Sequence, residues 1–251
     1  MFNIITSYPK SGNTWLRFII FELYFGHRNT QINSKNIEEF IPGINKDSLQ
    51  KIEDNKHSYK TVFFKSHYSY PQMKEFKLGK ILLIIRNPLE VLSSLINYYK
   101  IPKSNIDECV NQFCKFHTLN FIKKKFNFPS WSEHLDSWKN SNEDILLLTY
   151  NQLIDNFEFN IKKIINFCEI DFDEKKIDLV KNKTNFYSLK NLEEYEKKNK
   201  IEGFFYNNDH KTINFMNKGK KKSYYEIFTN LQIKKLEKSF FQYINEYNLM
   251  N

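Results

Sequence analysis

Residues 8–15 read Tyr-Pro-Lys-Ser-Gly-Asn-Thr-Trp, and they follow the short apolar run of residues 2–6, Phe-Asn-Ile-Ile-Thr. From Thr14 onward apolar side chains recur every three to four positions, which predicts a helix with Asn13 or Thr14 as its N-cap. Backbone N–H groups in such a strand–loop–helix unit attract anions, and Lys10 adds a positive charge. The stretch therefore predicts either an anion-binding loop or an ordinary turn between a strand and a helix.

Three further strands are predicted downstream, each followed by polar residues, and the last two lead into helical patterns. They are Thr61–Lys65, Lys80–Ile85 and Asp144–Thr149. Continuous apolar strands that alternate with helices predict an α/β fold, with a central parallel sheet flanked by helices on both faces. We expect residues 1–251 to form a single domain of this kind.

Ligands of parallel sheets bind at the carboxyl ends of the strands, in the loops that start the following helices. The chemistry is therefore expected at residues 7–14, 65–68, 86–94 and 149–151. Elsewhere the periodicity predicts helices within 107–140 and 173–199, and a closing amphipathic helix over 231–247. Residues 201–225 lack periodicity and read as a long loop.

Composition limits the class of protein. Hydrophobic residues make up 41% of the chain and aromatic residues 17%, which is enough for a packed core and argues against disorder. No apolar run is long enough to span a bilayer, and the first residues lack the pattern of a signal peptide. The three cysteines form no Cys-x-x-Cys pair, so we expect free thiols, no metal site and a cytoplasmic location.

The formal charge is 38 − 29 = +9, yet only three of the 38 basic residues are arginines: Arg17, Arg28 and Arg86. A net positive charge suggests an anionic partner, although a solvated lysine-rich surface would have the same composition. Arg86 ends the third predicted strand, and Ser93 and Ser94 follow in the next helix. An arginine fork with a nearby hydroxyl is a suitable receptor for phosphate.

Taken together, these motifs resemble those of the cytosolic-type sulfotransferases that use PAPS (3′-phosphoadenosine 5′-phosphosulfate). Residues 8–15 resemble the family's 5′-phosphosulfate loop, and residues 80–94 resemble its 3′-phosphate motif, with Arg86 eight positions before Ser94. Lys65-Ser-His67 occupies the place of the family's Lys-x-His sequence between them. The resemblance extends from Ile4 to about Thr229 and implies a P-loop-like fold, although no Gly-x-x-x-x-Gly-Lys-Ser/Thr motif is present.

The resemblance also implies which residues bind the nucleotide. Lys10 and the residues after it would contact the 5′-phosphosulfate, Trp15 would stack on adenine, and Arg86 and Ser94 would bind the 3′-phosphate. The full set that it implies is Lys10, Ser11, Gly12, Asn13, Thr14, Trp15, Arg86, Ser94, Tyr150, Phe186, Lys218 and Gly219.

The C-terminal motif departs from the family pattern. Its arginine is Asn217 in this chain, and its second glycine is Lys222. A lysine from 220–222 could replace the charge of the missing arginine but not its bidentate fork.

A mechanism follows from the same resemblance. Sulfuryl transfer by in-line displacement needs alignment of the reacting groups and neutralisation of developing charge. His67 is the candidate general base, because an imidazole can accept a proton near neutral pH. Lys10 would stabilise the leaving phosphate, and Lys65, on the same side of an extended segment as His67, would stabilise the sulfonyl oxygens.

Two alternatives remain open at this point. One is a P-loop-like nucleotide or small-molecule kinase, which the missing Gly-Lys-Ser/Thr sequence disfavours. The other is a non-catalytic basic module that binds nucleic acid or an acidic surface. For a sulfotransferase we expect PAPS as the co-substrate, a small-molecule or sugar acceptor, and no nucleic-acid partner. The sequence leaves the oligomeric state open.

Overall fold

The computed structural model describes residues 2–26, 32–44, 63–207, 214–216 and 222–250. Its strands are β1 (Phe2–Thr6), β2 (Phe64–Ser66), β3 (Leu78–Ile85) and β4 (Ile145–Thr149). The described helices are α1 (Asn13–Phe25), α2 (Ser34–Phe40), α3 (Tyr70–Met73), α4 (Pro88–Tyr98), α5 (Ile106–Phe116), α6 (Asn120–Phe126), α7 (Trp131–Lys139), α8 (Tyr150–Asp155), α9 (Phe157–Cys168), α10 (Ile177–Thr184), α11 (Phe186–Lys198), α12 (Asn230–Ser239) and α13 (Phe241–Glu246). Single turns of 3-10 helix lie at Lys103–Asn105, Glu174–Lys176 and Ser223–Glu226.

The strands form one parallel sheet in the order β2-β1-β3-β4. Thr6 of β1 lies opposite Ser66 of β2 on one side and Leu83 of β3 on the other. The strand order reverses between β1 and β3, because β2 lies to one side of β1 and β3 to the other. Their carboxyl ends therefore flank the switch point where ligands of such sheets bind.

Both faces of the sheet are covered, as the α/β prediction required. Along β3, Ile81 and Leu83 point into one apolar cluster, and Leu82 and Ile84 point into the other. The two clusters lie on opposite faces because successive side chains of a strand alternate in direction. The predicted central parallel sheet with helices on both faces is confirmed.

The structure corrects two predicted elements. The predicted strand 61–65 is β2, which begins at Phe64, and its positions 61 and 62 lie outside the described residues. The single helix predicted over 231–247 is two helices, because Phe240 leaves the helical conformation at φ −106° and ψ 14°. Its ring is buried against Phe113 and His117, with centroid separations of 5.3 and 4.2 Å.

The other predicted elements agree in outline. The region 107–140 contains α5, α6 and α7, and α5 and α6 end at residues with positive φ, His117 and Asn127. The described part of the predicted long loop has no strand, but it ends in the 3-10 turn Ser223–Glu226. Of the described helices, none has the length and apolar character needed to cross a lipid bilayer. The three cysteine thiols are free.

Candidate functional site

The loop after β1 turns sharply at Gly12, which has a φ of +108°. A Cβ atom at this position would lie 2.6 Å from Cδ2 of Tyr150, so only glycine fits there. Helix α1 then begins at Asn13, with Gly12 as its N-cap and no side-chain capping bond. The prediction that Asn13 or Thr14 caps this helix is therefore wrong. The first N–H groups of a helix have no partner within it, so the start of α1 can donate to an anion.

Asn13 supports this loop from inside the protein. Its Nδ2 donates to the Ile5 carbonyl at 3.2 Å, to Ser7 Oγ at 3.3 Å and to the Ser66 carbonyl at 3.4 Å. Ser11 is also fully buried. The amide of Asn13 thus joins the loop to the carboxyl ends of β1 and β2. Because this side chain is bonded inside the protein, an anion at this position would contact the backbone N–H groups instead.

A cavity of about 380 Å³ opens at the carboxyl ends of the strands. Sequence-predicted site residues that line it are Lys10, Gly12, Asn13, Thr14, Trp15, Lys65, His67, Arg86, Ser94, Tyr150 and Phe186. Ser11 is not among the lining residues. Lys218 and Gly219, with Asn217, lie outside the described residues. Lining residues that the sequence did not single out as site residues include Arg17, Glu38, Glu90 and Phe215.

The His67 ring is fixed in one tautomer. Its Nδ1 lies 2.7 Å from the carbonyl oxygen of Ser7. Because a carbonyl can only accept, Nδ1 carries the hydrogen and Nε2 is the basic nitrogen. Burial is the main reason that the pKa of His67 lies well below 6.5, and the charge of Lys65 lowers this pKa further. The imidazole is therefore neutral at physiological pH and able to accept a proton.

Two lysines, Lys10 and Lys65, line the cavity. The Lys10 Nζ lies 3.9 Å from the centre of the Tyr98 ring, and burial with the nearby charge of Arg86 lowers its pKa to about 7. Burial and the charge of Arg17 lower the pKa of Lys65 to about 8. Within the described ranges, neither lysine has a carboxylate at ion-pair distance. Partly buried lysine side chains without an ion-pair partner favour an anionic ligand.

Arg86 is held on its edge and on its face. The Nε donates to Oε2 of Glu90 at 2.7 Å, and the guanidinium carbon lies 4.1 Å from the centre of the Tyr150 ring. Glu90 lies on α4, four residues after Arg86 in the sequence. Its Oε1 accepts from the backbone N–H of Lys222 at 2.6 Å. Arg86 precedes α4 and Glu90 lies in the first turn of that helix, so the pair joins the end of β3 to the start of α4.

An aromatic slot lies beside Arg86. Trp15 Nε1 donates to the carbonyl of Thr184 at 2.8 Å, which fixes the indole ring. The ring meets Tyr150 edge-on, with a centroid separation of 5.3 Å. Phe186, at the start of α11, lines the same cavity. The aromatic surfaces suit a flat heterocyclic ring.

Glu193 anchors another part of the wall. Its Oε1 accepts from the backbone N–H of Phe215 at 2.8 Å, and its Oε2 accepts from that of Met216 at 2.9 Å. The Phe215 ring packs against Tyr98 at 5.6 Å. Sequence reasoning missed Glu193 because its backbone partners lie more than twenty residues away, where no local periodicity connects them.

Arg17 has a supporting role next to Lys65. It is 4% exposed, and its Nη2 donates to the carbonyl of Ile41 at 2.6 Å, which ties α1 to the end of α2. The described residues contain no group of histidine, cysteine, aspartate or glutamate side chains that could hold a metal ion.

The chain is similar to known sulfotransferases. The family model described as the sulfotransferase domain matches residues 3–248. An amine sulfotransferase of Oryctolagus cuniculus is 26% identical over 194 residues, 74% of this chain and 62% of that protein. Cytosolic sulfotransferase 12 of Arabidopsis thaliana is 28% identical over 211 residues, 76% of this chain and 63% of that protein. The chain thus spans less than two thirds of the length of these relatives.

Solved structures share the fold. Mouse sulfotransferase SULT7A1 complexed with PAP superposes with a TM-score of 0.69 at 20% identity, covering 99% of this chain and 85% of the mouse chain. Retinol dehydratase in complex with androsterone and inactive cofactor PAP gives a TM-score of 0.70 at 16% identity, covering 96% of this chain and 80% of the other.

Proposed function

The chain belongs to the sulfotransferase domain family, and from this premise we propose that it transfers a sulfuryl group from PAPS to a hydroxyl or amine of an acceptor. One observation carries the proposal: the loop after β1, Lys65 within β2, His67 directly after β2, and Arg86 directly after β3 all line one cavity. We also propose that residues 1–251 form a single sulfotransferase domain.

The cavity fits a polyanionic nucleotide. The N–H groups of Gly12 to Thr14 and the unpaired charge of Lys10 suit the 5′-phosphosulfate. The Nη groups of Arg86, with the hydroxyl of Ser94, suit the 3′-phosphate. In this proposal Trp15, Tyr150 and Phe186 flank the adenine, and Lys218 and Gly219 assist at the phosphates as the family motif implies.

His67 begins the chemical step. Its Nε2 takes the proton of the acceptor as the acceptor oxygen or nitrogen forms a bond to sulfur. The bond between sulfur and the 5′-phosphate oxygen breaks, and Lys10 stabilises the negative charge that develops on that oxygen. Lys65 stabilises the oxygens of the sulfonyl group while this group passes from the phosphate to the acceptor. The products are the sulfated acceptor and adenosine 3′,5′-bisphosphate (PAP).

We propose a small molecule or a sugar hydroxyl as the acceptor, and no nucleic-acid partner. The cavity volume lies in the range of small-molecule sites, and Phe126 and Phe128 provide an apolar wall near His67. The relatives' names include an amine sulfotransferase, and a structural neighbour is described in complex with androsterone. Three free cysteines are consistent with the cytoplasmic location that we propose.

Calorimetric titration with PAP tests the nucleotide half of the proposal, with ATP and an oligonucleotide as controls. We expect micromolar or tighter binding of PAP, and weaker binding of both controls. Preferential binding of ATP would support the kinase alternative, and salt-sensitive binding of the oligonucleotide alone would support a basic module. A mass-spectrometric screen for the gain of one sulfuryl group, run with PAPS and a panel of phenols, alcohols, amines and sugars, tests the transfer itself.

A further inference from the structure

We infer that Glu90 is a positioning residue that gives this site its preference for a nucleotide with a 3′-phosphate. The inference rests on the proposed function, because it concerns how Arg86 meets that phosphate. Glu90 has a side chain only 1% exposed and lies at the cavity wall on α4. A carboxylate is seldom buried unless its charge is paired and hydrogen-bonded.

Glu90 and Tyr150 together orient the Arg86 guanidinium. Oε2 of Glu90 accepts from Nε at 2.7 Å, which occupies the single N–H on that side of the group. The Tyr150 ring covers one face of the guanidinium, with its centre 4.1 Å from the central carbon. Edge and face together fix the plane of the fork. The two Nη groups remain on the far side and can donate two parallel bonds to a phosphate.

The other oxygen of the same carboxylate binds a second part of the chain. Oε1 of Glu90 accepts from the backbone N–H of Lys222 at 2.6 Å. Lys222 has a φ of +59° and immediately precedes the 3-10 turn Ser223–Glu226, whose first residue also lines the cavity. One side chain therefore holds both the arginine and the chain segment at Lys222, which leads into Ser223 of the cavity lining.

Only a carboxylate satisfies both contacts. Both partners of Glu90 are donors, so each of its oxygens must accept. A glutamine would present one oxygen and one NH₂ group, and the NH₂ would face either the Nε–H of Arg86 or the N–H of Lys222. Glu90→Gln has nearly the same shape but must lose one of these bonds and leave a buried donor unsatisfied.

The test compares the binding of PAP with that of adenosine 5′-monophosphate, which lacks the 3′-phosphate. In the parent protein we expect PAP to bind more tightly. Glu90→Gln should weaken PAP binding by about tenfold or more, since charge-assisted bonds are the strong ones, and change binding of the monophosphate by less than about threefold. Glu90→Asp keeps the negative charge and should retain part of the preference. Glu158→Gln is the matched control, because Glu158 forms an exposed pair with Lys162 at the same spacing on α9.

The outcomes separate this inference from the proposed function. If the parent protein shows no preference for PAP, the proposed function fails. If the parent prefers PAP but Glu90→Gln weakens both nucleotides equally or neither, the role of Glu90 is overturned. A double-mutant cycle adds a second check: in the background of Arg86→Met, Glu90→Gln should change PAP affinity by a clearly smaller factor than in the parent, because only the contact with Lys222 is left to lose. Additive effects would show that Glu90 does not act through Arg86.

Discussion

The hydrogen bond from His67 Nδ1 to the Ser7 carbonyl leaves Nε2 as a base, so His67→Ala should lower kcat by about 10²–10⁴. PAP affinity should change by less than about threefold, because the nucleotide is held by other residues. Steady-state turnover and calorimetry with PAP measure the two quantities. His67→Asn is the control, since its amide can still donate to Ser7 but cannot take a proton. Turnover of the asparagine variant near the parent rate would contradict the role of His67.

Nucleotide affinity should fall as the pH rises above neutrality. In the empty site the pKa of Lys10 is about 7 and that of Lys65 is about 8, so both lysines lose protons as the pH passes through these values. A bound polyanion favours their charged forms, so PAP binding should take up protons.

Calorimetry between pH 6.5 and 9, in two buffers of different ionisation enthalpy, would measure both the affinity and the proton uptake. Lys10→Met should flatten the pH profile and reduce the uptake. A PAP affinity that stays constant over this range would contradict the lowered pKa values of the two lysines.

At the scale of the elements, the loop from β1 to α1 depends on the left-handed conformation of Gly12. Gly12→Ala would place a methyl group 2.6 Å from the Tyr150 ring, on a backbone with φ of +108°. We expect a loss of stability of about 2 kcal/mol or more and a large loss of PAP affinity. Thermal unfolding and calorimetry measure the two effects.

Gly43→Ala provides the comparison for Gly12→Ala. Its added methyl group would meet only Cδ of Lys65 at 3.7 Å, an ordinary contact. We therefore expect a change in the free energy of unfolding within about 0.5 kcal/mol. Equal losses of stability in the two variants would show that the conformation of Gly12 is not the cause.

The sequence predicted strands and helices correctly where neighbouring residues alone determine them. β1, β3 and β4 are apolar runs whose ends coincide with polar residues, and Arg86 and Ser94 follow from their positions after β3. The break at Phe240 was not predictable, because it comes from contacts with residues more than one hundred positions away. Glu193 was missed for the same reason, since its backbone partners belong to a distant segment.

For the whole molecule, the unpaired cations of the cavity should reduce the stability of the empty protein. The pKa of Lys65 is lowered to about 8 from its ordinary value near 10.5, so its charged form is disfavoured by folding. That penalty is fully present at pH 7 and fades as the pH rises through 8 toward 10.5. Lys65→Met should therefore raise Tm at pH 7 by about 2–4 °C, which corresponds to about 1 kcal/mol for a protein of this size.

The matched variant for this measurement is Lys80→Met. Lys80 lies on β3 and pairs with Asp144 at 2.8 Å, so its charge is compensated and its removal should not raise Tm. Turnover should be lost only in the Lys65 variant. A lower Tm for Lys65→Met at pH 7 would show that contacts of its aliphatic chain outweigh the burial of its charge.

The contacts of Arg86 with Glu90 and Tyr150 also affect when its motional freedom is lost. A free arginine side chain holds about 2 kcal/mol of rotamer entropy, which a flexible receptor gives up as its ligand arrives. Here the chain gives it up during folding, before any nucleotide is present. Binding of the 3′-phosphate then requires little rearrangement of this side chain. The guanidinium is already in place, and the flexible nucleotide adjusts its own conformation to meet it.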